Sequence, residues 1–171
     1  EKAGLSYDAP KVRVDRFEEA LVVLKGLFGE GEFSHDGEHY CIDALEGLPR
    51  PHAPGGPPLM IGAGGPRMLG IAGAHADIVG INPRIPSGAV DAEAAQTGLA
   101  SRTDEKVAWV REAAGDRYAD LELNMLIFAG IVTDDRAGTA EMMAPLFGVD
   151  PAEVEAFPHA WIGTVDQICD D

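Results

Sequence analysis

The chain has 171 residues, 46% of them hydrophobic and 25% charged, which is ordinary for a globular protein and sets intrinsic disorder aside. Lys and Arg number 13 against 29 Asp and Glu, a formal charge of −16; a field of that sign repels phosphate backbones and anionic bilayers and argues against nucleic-acid and membrane partners. No apolar run approaches the roughly 20 residues of a membrane-spanning helix, the opening Glu1-Lys2-Ala3-Gly4 has no signal-peptide pattern, and two cysteines, Cys41 and Cys169, make no disulfide framework and fit a reducing cytoplasm.

The first element is a helix. Val14, Phe17, Leu21, Leu24 and Phe28 recur at alternating spacings of three and four, and Gly29 and Gly31 end the pattern. A hairpin follows, with 32–35 and 38–42 flanking Asp36-Gly37, a pair suited to a two-residue turn in which both residues take positive φ. Residues 47–58 are rich in Pro and Gly and read as an extended connector. Pro58 to Gly62 reads as a buried strand, Ala63-Gly64-Gly65 as a tight loop, and Pro66 as the first residue of an apolar helix. A second buried strand runs from Asp77 to Ile81. Residues 83–100 read as loop, and Asp104 as the cap of a helix carrying Val107, Trp109, Val110 and Ala114, stopped by Gly115.

Leu121 to Val132 is almost wholly apolar after Asn124, the pattern of one strand buried on both faces of a parallel sheet. A helix is expected from Asp135 to Phe147, with Gly148 as its stop. Asp150-Pro151-Ala152-Glu153 and Thr164-Val165-Asp166-Gln167 are capping boxes that open two further helices. The order is therefore helix, hairpin, then three strand–helix units, which implies a mainly parallel α/β sheet. Three such strands leave two apolar edges, and exposed edges invite pairing. The last capping box has barely one turn to run, too little for a stable helix. Both features point to part of a larger α/β domain, or to a homo-oligomer.

The chemistry-bearing motif is Gly62-Ala63-Gly64-Gly65-Pro66-Arg67, set between strand and helix. Glycines allow a ligand close to the backbone, and N–H groups at the helix start hold anions. The alternative is a tight turn whose glycines satisfy backbone geometry alone. The dinucleotide fingerprint is not met, because Arg67 stands where its third glycine belongs.

Pro57 to Arg67, continued through Ala72, His75, Ala76, Asp77 and Ile78, resembles the bacterial luciferase-like monooxygenase superfamily. Arg13 to Leu21, the hairpin His35 to Tyr40, the link Leu48-Pro49-Arg50-Pro51 and the tail Ile162 to Gln167 match it in the same order. The branch most similar uses the deazaflavin coenzyme F420, with FMN as the alternative. The resemblance implies a (β/α)8 barrel, which typically needs about 250 residues, so that residues 1–171 would be the C-terminal part of one barrel domain. It implies a flavin- or F420-dependent oxidoreductase or monooxygenase acting on a small molecule. The piece would be inactive alone, because the missing N-terminal strands carry much of the coenzyme site.

Strand C-termini face the site in a barrel. That selects Gly62, Ala63, Gly64, Gly65 and Arg67 for the coenzyme. Asn82 and Arg84 are selected for the substrate pocket, joined by His39 and Tyr40 because the family's hairpin lies near the cleft mouth. Thr133-Asp134-Asp135 reads as a helix cap. His35, His39 and Cys41 lack the usual zinc spacing, so no metal site is expected. His159 and Trp109 read as packing residues. No nucleophile triad or carboxylate pair emerges, which suits a reaction whose hydride chemistry the coenzyme carries. Two other readings stay open: a non-catalytic truncated protein of the same fold that binds a flavin or only assembles, and an open-sheet nucleotide-binding domain with a reversed strand order.

Overall fold

The computed structural model describes residues 7–85 and 91–170, and the chain divides into two units, Glu1–Pro58 and Leu59–Asp171. The first unit consists of helix α1 (Pro10–Leu27) and the antiparallel strands β1 (Glu32–Asp36) and β2 (Cys41–Glu46). Pro10 stands at the start of α1, where a missing N–H costs nothing. Leu21 and Val23 are the buried residues of this helix, whereas Leu24 is 42% exposed. The ring of Phe33 accounts for the rotated face: it lies over Gly26, where a Cβ would stand 2.1 Å from it. Val23 and Gly26, three residues apart, therefore form the covered side.

The hairpin turn differs from its expected form. Asp36 pairs with Cys41, so the turn is the four residues 37–40, and neither Asp36 nor Gly37 takes a positive φ. The cause is Glu19, reaching over from α1. Its carboxylate accepts the N–H of His39 at 3.0 Å, that of Tyr40 at 2.8 Å and His35 Nε2–H at 3.1 Å. A Cβ on Gly37 would lie 2.0 Å from Glu19 Oε1, so glycine is required here for room and not for its φ.

Burial pushes the Glu19 carboxyl upward, but the N–H groups of Tyr40 and His39 and the His35 ring outweigh it and hold it below its ordinary 4.5. The stabilisation is complete above that ordinary value and is lost as pH falls through the lower folded one. Glu19→Ala is expected to lower the thermal midpoint at neutral pH and to leave a shallower acid limb, both followed by circular dichroism. An unchanged midpoint would mean that the turn stands without the carboxylate.

In the second unit, strands β3 (Met60–Ala63), β4 (Ile78–Ile81) and β5 (Glu122–Met125) lie parallel and in chain order, and β6 (Ala129–Val132) lies parallel to β7 (Ala160–Gly163). The helices are α2 (Pro66–His75), α3 (Ala92–Gln96), α4 (Ala100–Ala114), α5 (Arg136–Phe147), α6 (Pro151–Glu155) and α7 (Val165–Asp170). Helix α2 packs on α4 so closely that a Cβ on Gly73 would stand 2.6 Å from the carbonyl oxygen of Val110. The end of α2 is held by Arg117, whose guanidinium donates to the carbonyls of Gly73, Ala74 and Ala76 at 3.0, 2.6 and 2.8 Å, a cation placed at the negative end of a helix.

Helices bury residues of β3, β4 and β7: Ile61, Val79, Ile81 and Ile162 are at most 5% exposed. Ile162 belongs to a cluster with Ala140, Met143, Ala144 and Val154. Other strand residues stay uncovered, with Met60 at 56%, Val132 at 69% and Trp161 at 45%, although Gly80 on β4 is buried. Strand residues alternate faces, so β3 and β7 each have a helix-covered side and a barer side, as strands in the wall of an open barrel do.

Four expectations are corrected. Leu121 to Val132 is not one strand buried on both faces: it bends at 126–128, and Leu126 and Phe128 are 56% and 42% exposed. His159 sets the bend, its Nδ1 on the Leu126 carbonyl at 2.9 Å and its own carbonyl accepting the Phe128 N–H at 2.7 Å. Second, the stretch 83–100 contains α3, because the Asp91 carboxylate accepts the Ala94 N–H at 2.9 Å. Third, Asp104 caps nothing: α4 already begins at Ala100, with the Leu99 carbonyl accepting the Thr103 N–H at 2.9 Å. Fourth, β7 adds a further strand–helix unit, so the units exceed the three expected. Within each of the two sheets of the second unit the strands lie in chain order, as barrel neighbours do and without the reversal that marks the open-sheet alternative.

Candidate functional site

The glycine bend sits where the sequence places it, at the carboxyl end of β3 and the start of α2. Its members do different jobs. Ala63 is buried beneath it at 7% exposure. A Cβ on Gly62 would meet Asn82 Nδ2 at 3.0 Å, and one on Gly64 would meet the carbonyl oxygens of Pro83 and Asn82 at 2.6 and 2.8 Å. These two glycines thus admit the tip of β4, whose Asn82 N–H continues the ladder to the Ala63 carbonyl at 2.9 Å. Gly65 is different: the nearest atom to a Cβ there is Arg84 Nε at 3.9 Å, so this position opens on space. Gly65 is also the N-cap of α2, with extended φ −112° and ψ 157° and no side chain capping the first turn. Arg67 is exposed on that turn.

Beside the bend is a cleft of about 600 Å³, bordered by Gly64 and Pro66, by Arg84 beyond β4, and by Leu99, Lys106 and Trp109 on or before α4. Asn82 and Arg84 are thus brought to the bend. Trp109 is half-buried in the cleft wall and not in the core as expected. His39 and Tyr40 belong to the first unit, where their backbone N–H groups serve the Glu19 carboxylate. Among the described residues no cluster of three or more His, Cys, Asp or Glu is arranged to hold a metal ion. Asp135 caps α5 through the Gly138 N–H at 2.9 Å, as its sequence context indicates.

The residue that sequence reasoning missed is Lys106. It is 2% exposed, and its ammonium donates to the carbonyls of Asn82 at 2.8 Å and Thr97 at 2.5 Å. Thr97 Oγ1 in turn accepts the Arg84 N–H at 2.7 Å, so the two residues tie the end of β4 to the start of α4. Burial pushes the ammonium down to about 8, with Arg84 adding to the effect and Glu105 opposing it. The readable signal was a lysine on the buried stripe Thr103, Lys106, Val110, Ala114, at helical spacings of three and four. His159 is fully buried beside the rings of Phe128 and Phe157, a packing residue as expected; burial lowers its pKa.

Residues 2–115 match the family model described as luciferase-like monooxygenase. The chain belongs to the luciferase-like monooxygenase family. Solved structures share its fold at low identity. An F420-dependent secondary alcohol dehydrogenase in complex with an F420–acetone adduct has a TM-score of 0.60 at 17% identity, over 96% of this chain and 53% of that one. The coenzyme F420-dependent tetrahydromethanopterin reductase of Methanopyrus kandleri gives 0.57 at 17%, over 91% and 52%. The EDTA monooxygenase of Chelativorans sp. BNC1 gives 0.60 at 14%, over 99% and 53%. No curated protein matches the chain. The chain thus spans about half the length of the solved structures it matches, and its strands and helices are those of a partial (β/α)8 barrel. Among the described residues no helix of this family member is long and apolar enough to cross a membrane.

Proposed function

We propose that the chain supplies the C-terminal strand–helix units of a single barrel domain that works as an F420-dependent oxidoreductase, with FMN as the second coenzyme to be tried. The observation that carries this reading is the open bend at Gly65, at the carboxyl end of a barrel strand and next to the unpaired face of a helix start. The residues fit an anionic coenzyme there. The first N–H groups of α2 have no partner within the helix and no side-chain cap, and a phosphate is the natural group for such a place. Gly65 and Arg67 would hold it, Gly62 and Gly64 would shape the bend, and Ala63 would support it from beneath.

The coenzyme, when bound, supplies hydride transfer. The protein's part is to orient coenzyme and substrate and to exclude water. Asn82 and Arg84, fixed at the tip of β4 by the Ala63 carbonyl and Thr97, would line the substrate side. The exposed strand residues Met60, Val132 and Trp161 support completion of the wall by more barrel or by a second copy of the chain.

The test is a titration of the whole protein that carries these residues with F420 and, separately, FMN, followed by coenzyme fluorescence. Saturable binding of F420 in preference to FMN is the expected result. Preference for FMN would move the protein to the flavin-dependent members, and binding of neither would leave the non-catalytic reading.

A further inference from the structure

The cleft beside the bend carries more than coenzyme binding requires. In a chain of net charge −16, the described residues that line it include three cations, Arg84, Arg102 and Lys106, against a single carboxylate, Glu105. That carboxylate is already paired with Arg102 at 3.2 Å. Lys106 is all but fully buried, and the carbonyls of Asn82 and Thr97 take two of the three protons on its ammonium. The third remains for the cleft that the side chain lines.

The helix starts give an independent sign. Gly64 and Pro66 bring the start of α2 to the cleft, and Leu99 and Ser101 bring that of α4. Neither helix has a side-chain cap or an acidic residue in its first turn. Among the described residues every other α-helix of this unit has a side chain at its start: Asp91 on α3, Asp135 on α5, the Glu153 carboxylate on α6 and Thr164 on α7. The two left bare are the two that converge on the cations. The start of α2 is the one given above to the coenzyme, so the buried ammonium and the uncapped start of α4 are what remain costly to leave without a second anion.

We propose that this cleft binds an oxyanion of the substrate, a carboxylate or a phosphate, with the rest of the substrate lying along Leu99 and Trp109. The class of substrate is thus an anionic small molecule with an apolar portion. This rests on the reading of the neighbouring bend as the coenzyme site, and the test separates the two.

Inorganic sulfate is the probe, because its charge is constant across the pH range used. The whole protein carries Trp161→Phe, so that of the two tryptophans Trp109 alone reports. Sulfate is expected to give a saturable fluorescence change, with an affinity at least about fivefold weaker in Arg84→Gln and in Lys106→Met. Arg84 is exposed, so its variant keeps the fold even if the lysine variant does not. Affinity should fall as pH rises past about 8, where Lys106 loses its proton, with Arg84, Arg102, Glu105 and the nearby His159 as the other charged or titratable groups. Saturating coenzyme should leave sulfate binding unchanged. Sulfate that binds when neither F420 nor FMN does would uphold the anion site and sink the coenzyme reading. No saturable response, indifference to Arg84→Gln, or displacement of sulfate by coenzyme would overturn the proposal, the last by assigning the oxyanion to the coenzyme.

Discussion

Gly64→Ala is expected to destabilise the second unit by about 3 kcal/mol, the upper part of what overpacking usually costs. The new Cβ would lie 2.6 Å from the Pro83 carbonyl oxygen and 2.8 Å from that of Asn82, and both are backbone atoms that cannot rotate away. The tip of β4 has little freedom to retreat. The Asn82 N–H is bonded to the Ala63 carbonyl at 2.9 Å, and the Asn82 carbonyl receives Lys106 at 2.8 Å. Relief of the clash would therefore break the strand ladder, the lysine tie or both. Urea denaturation measures the loss. A midpoint equal to that of the wild type would mean that the strand tips do not approach as closely as the structure has them.

Lys106→Met has the opposite character. At pH 7 it removes two hydrogen bonds, but it also removes the cost of keeping an ammonium at 2% exposure. Replacing a buried charge by an apolar side chain of similar volume is often close to neutral. The sharper result is in the pH profile. The folded-state value is depressed from 10.5 to about 8, so between those limits the unfolded chain binds the proton that the folded chain has released. Stability then rises with pH. Wild type should gain about 3 kcal/mol on Lys106→Met as pH goes from 8 to 10.5, in order of magnitude. The comparison cancels the other lysines, which titrate in both proteins. Parallel profiles would mean that the ammonium is not desolvated.

Much of this fold was legible locally. Pro66, Gly115 and Gly148 mark helix limits through backbone chemistry that neighbours do not alter, and all three stand where expected, Gly115 and Gly148 at φ 55° and 63°. The bend at 62–67 was equally readable, because a strand, a glycine run and a helix-starting proline are local signals. The failures have a common origin in side chains arriving from far along the chain. Glu19 reshapes a hairpin turn about 20 residues away, and His159 bends a strand through Leu126, 33 residues before it. Neither contact leaves a trace in the periodicity of the segment it alters. Within the site, the four residues of Gly62 to Gly65 looked equivalent. Only the position of β4 separates Gly62 and Gly64, which admit another strand, from Gly65, which faces space. Lys106 was passed over because a lysine on an apolar helix face is read as a boundary of that face, whereas here the carbonyls of Asn82 and Thr97 make burial tolerable.

The coenzyme is proposed to meet the protein at Gly65, and the dissociation constant of F420 or FMN for Gly65→Ala decides whether it does. The backbone there is already extended at φ −112° and the nearest atom lies 3.9 Å from the added methyl, so the fold should tolerate the change to within about 1 kcal/mol. Coenzyme affinity at least about tenfold weaker with an unchanged urea midpoint is the predicted result. Wild-type affinity in a stably folded variant would contradict it.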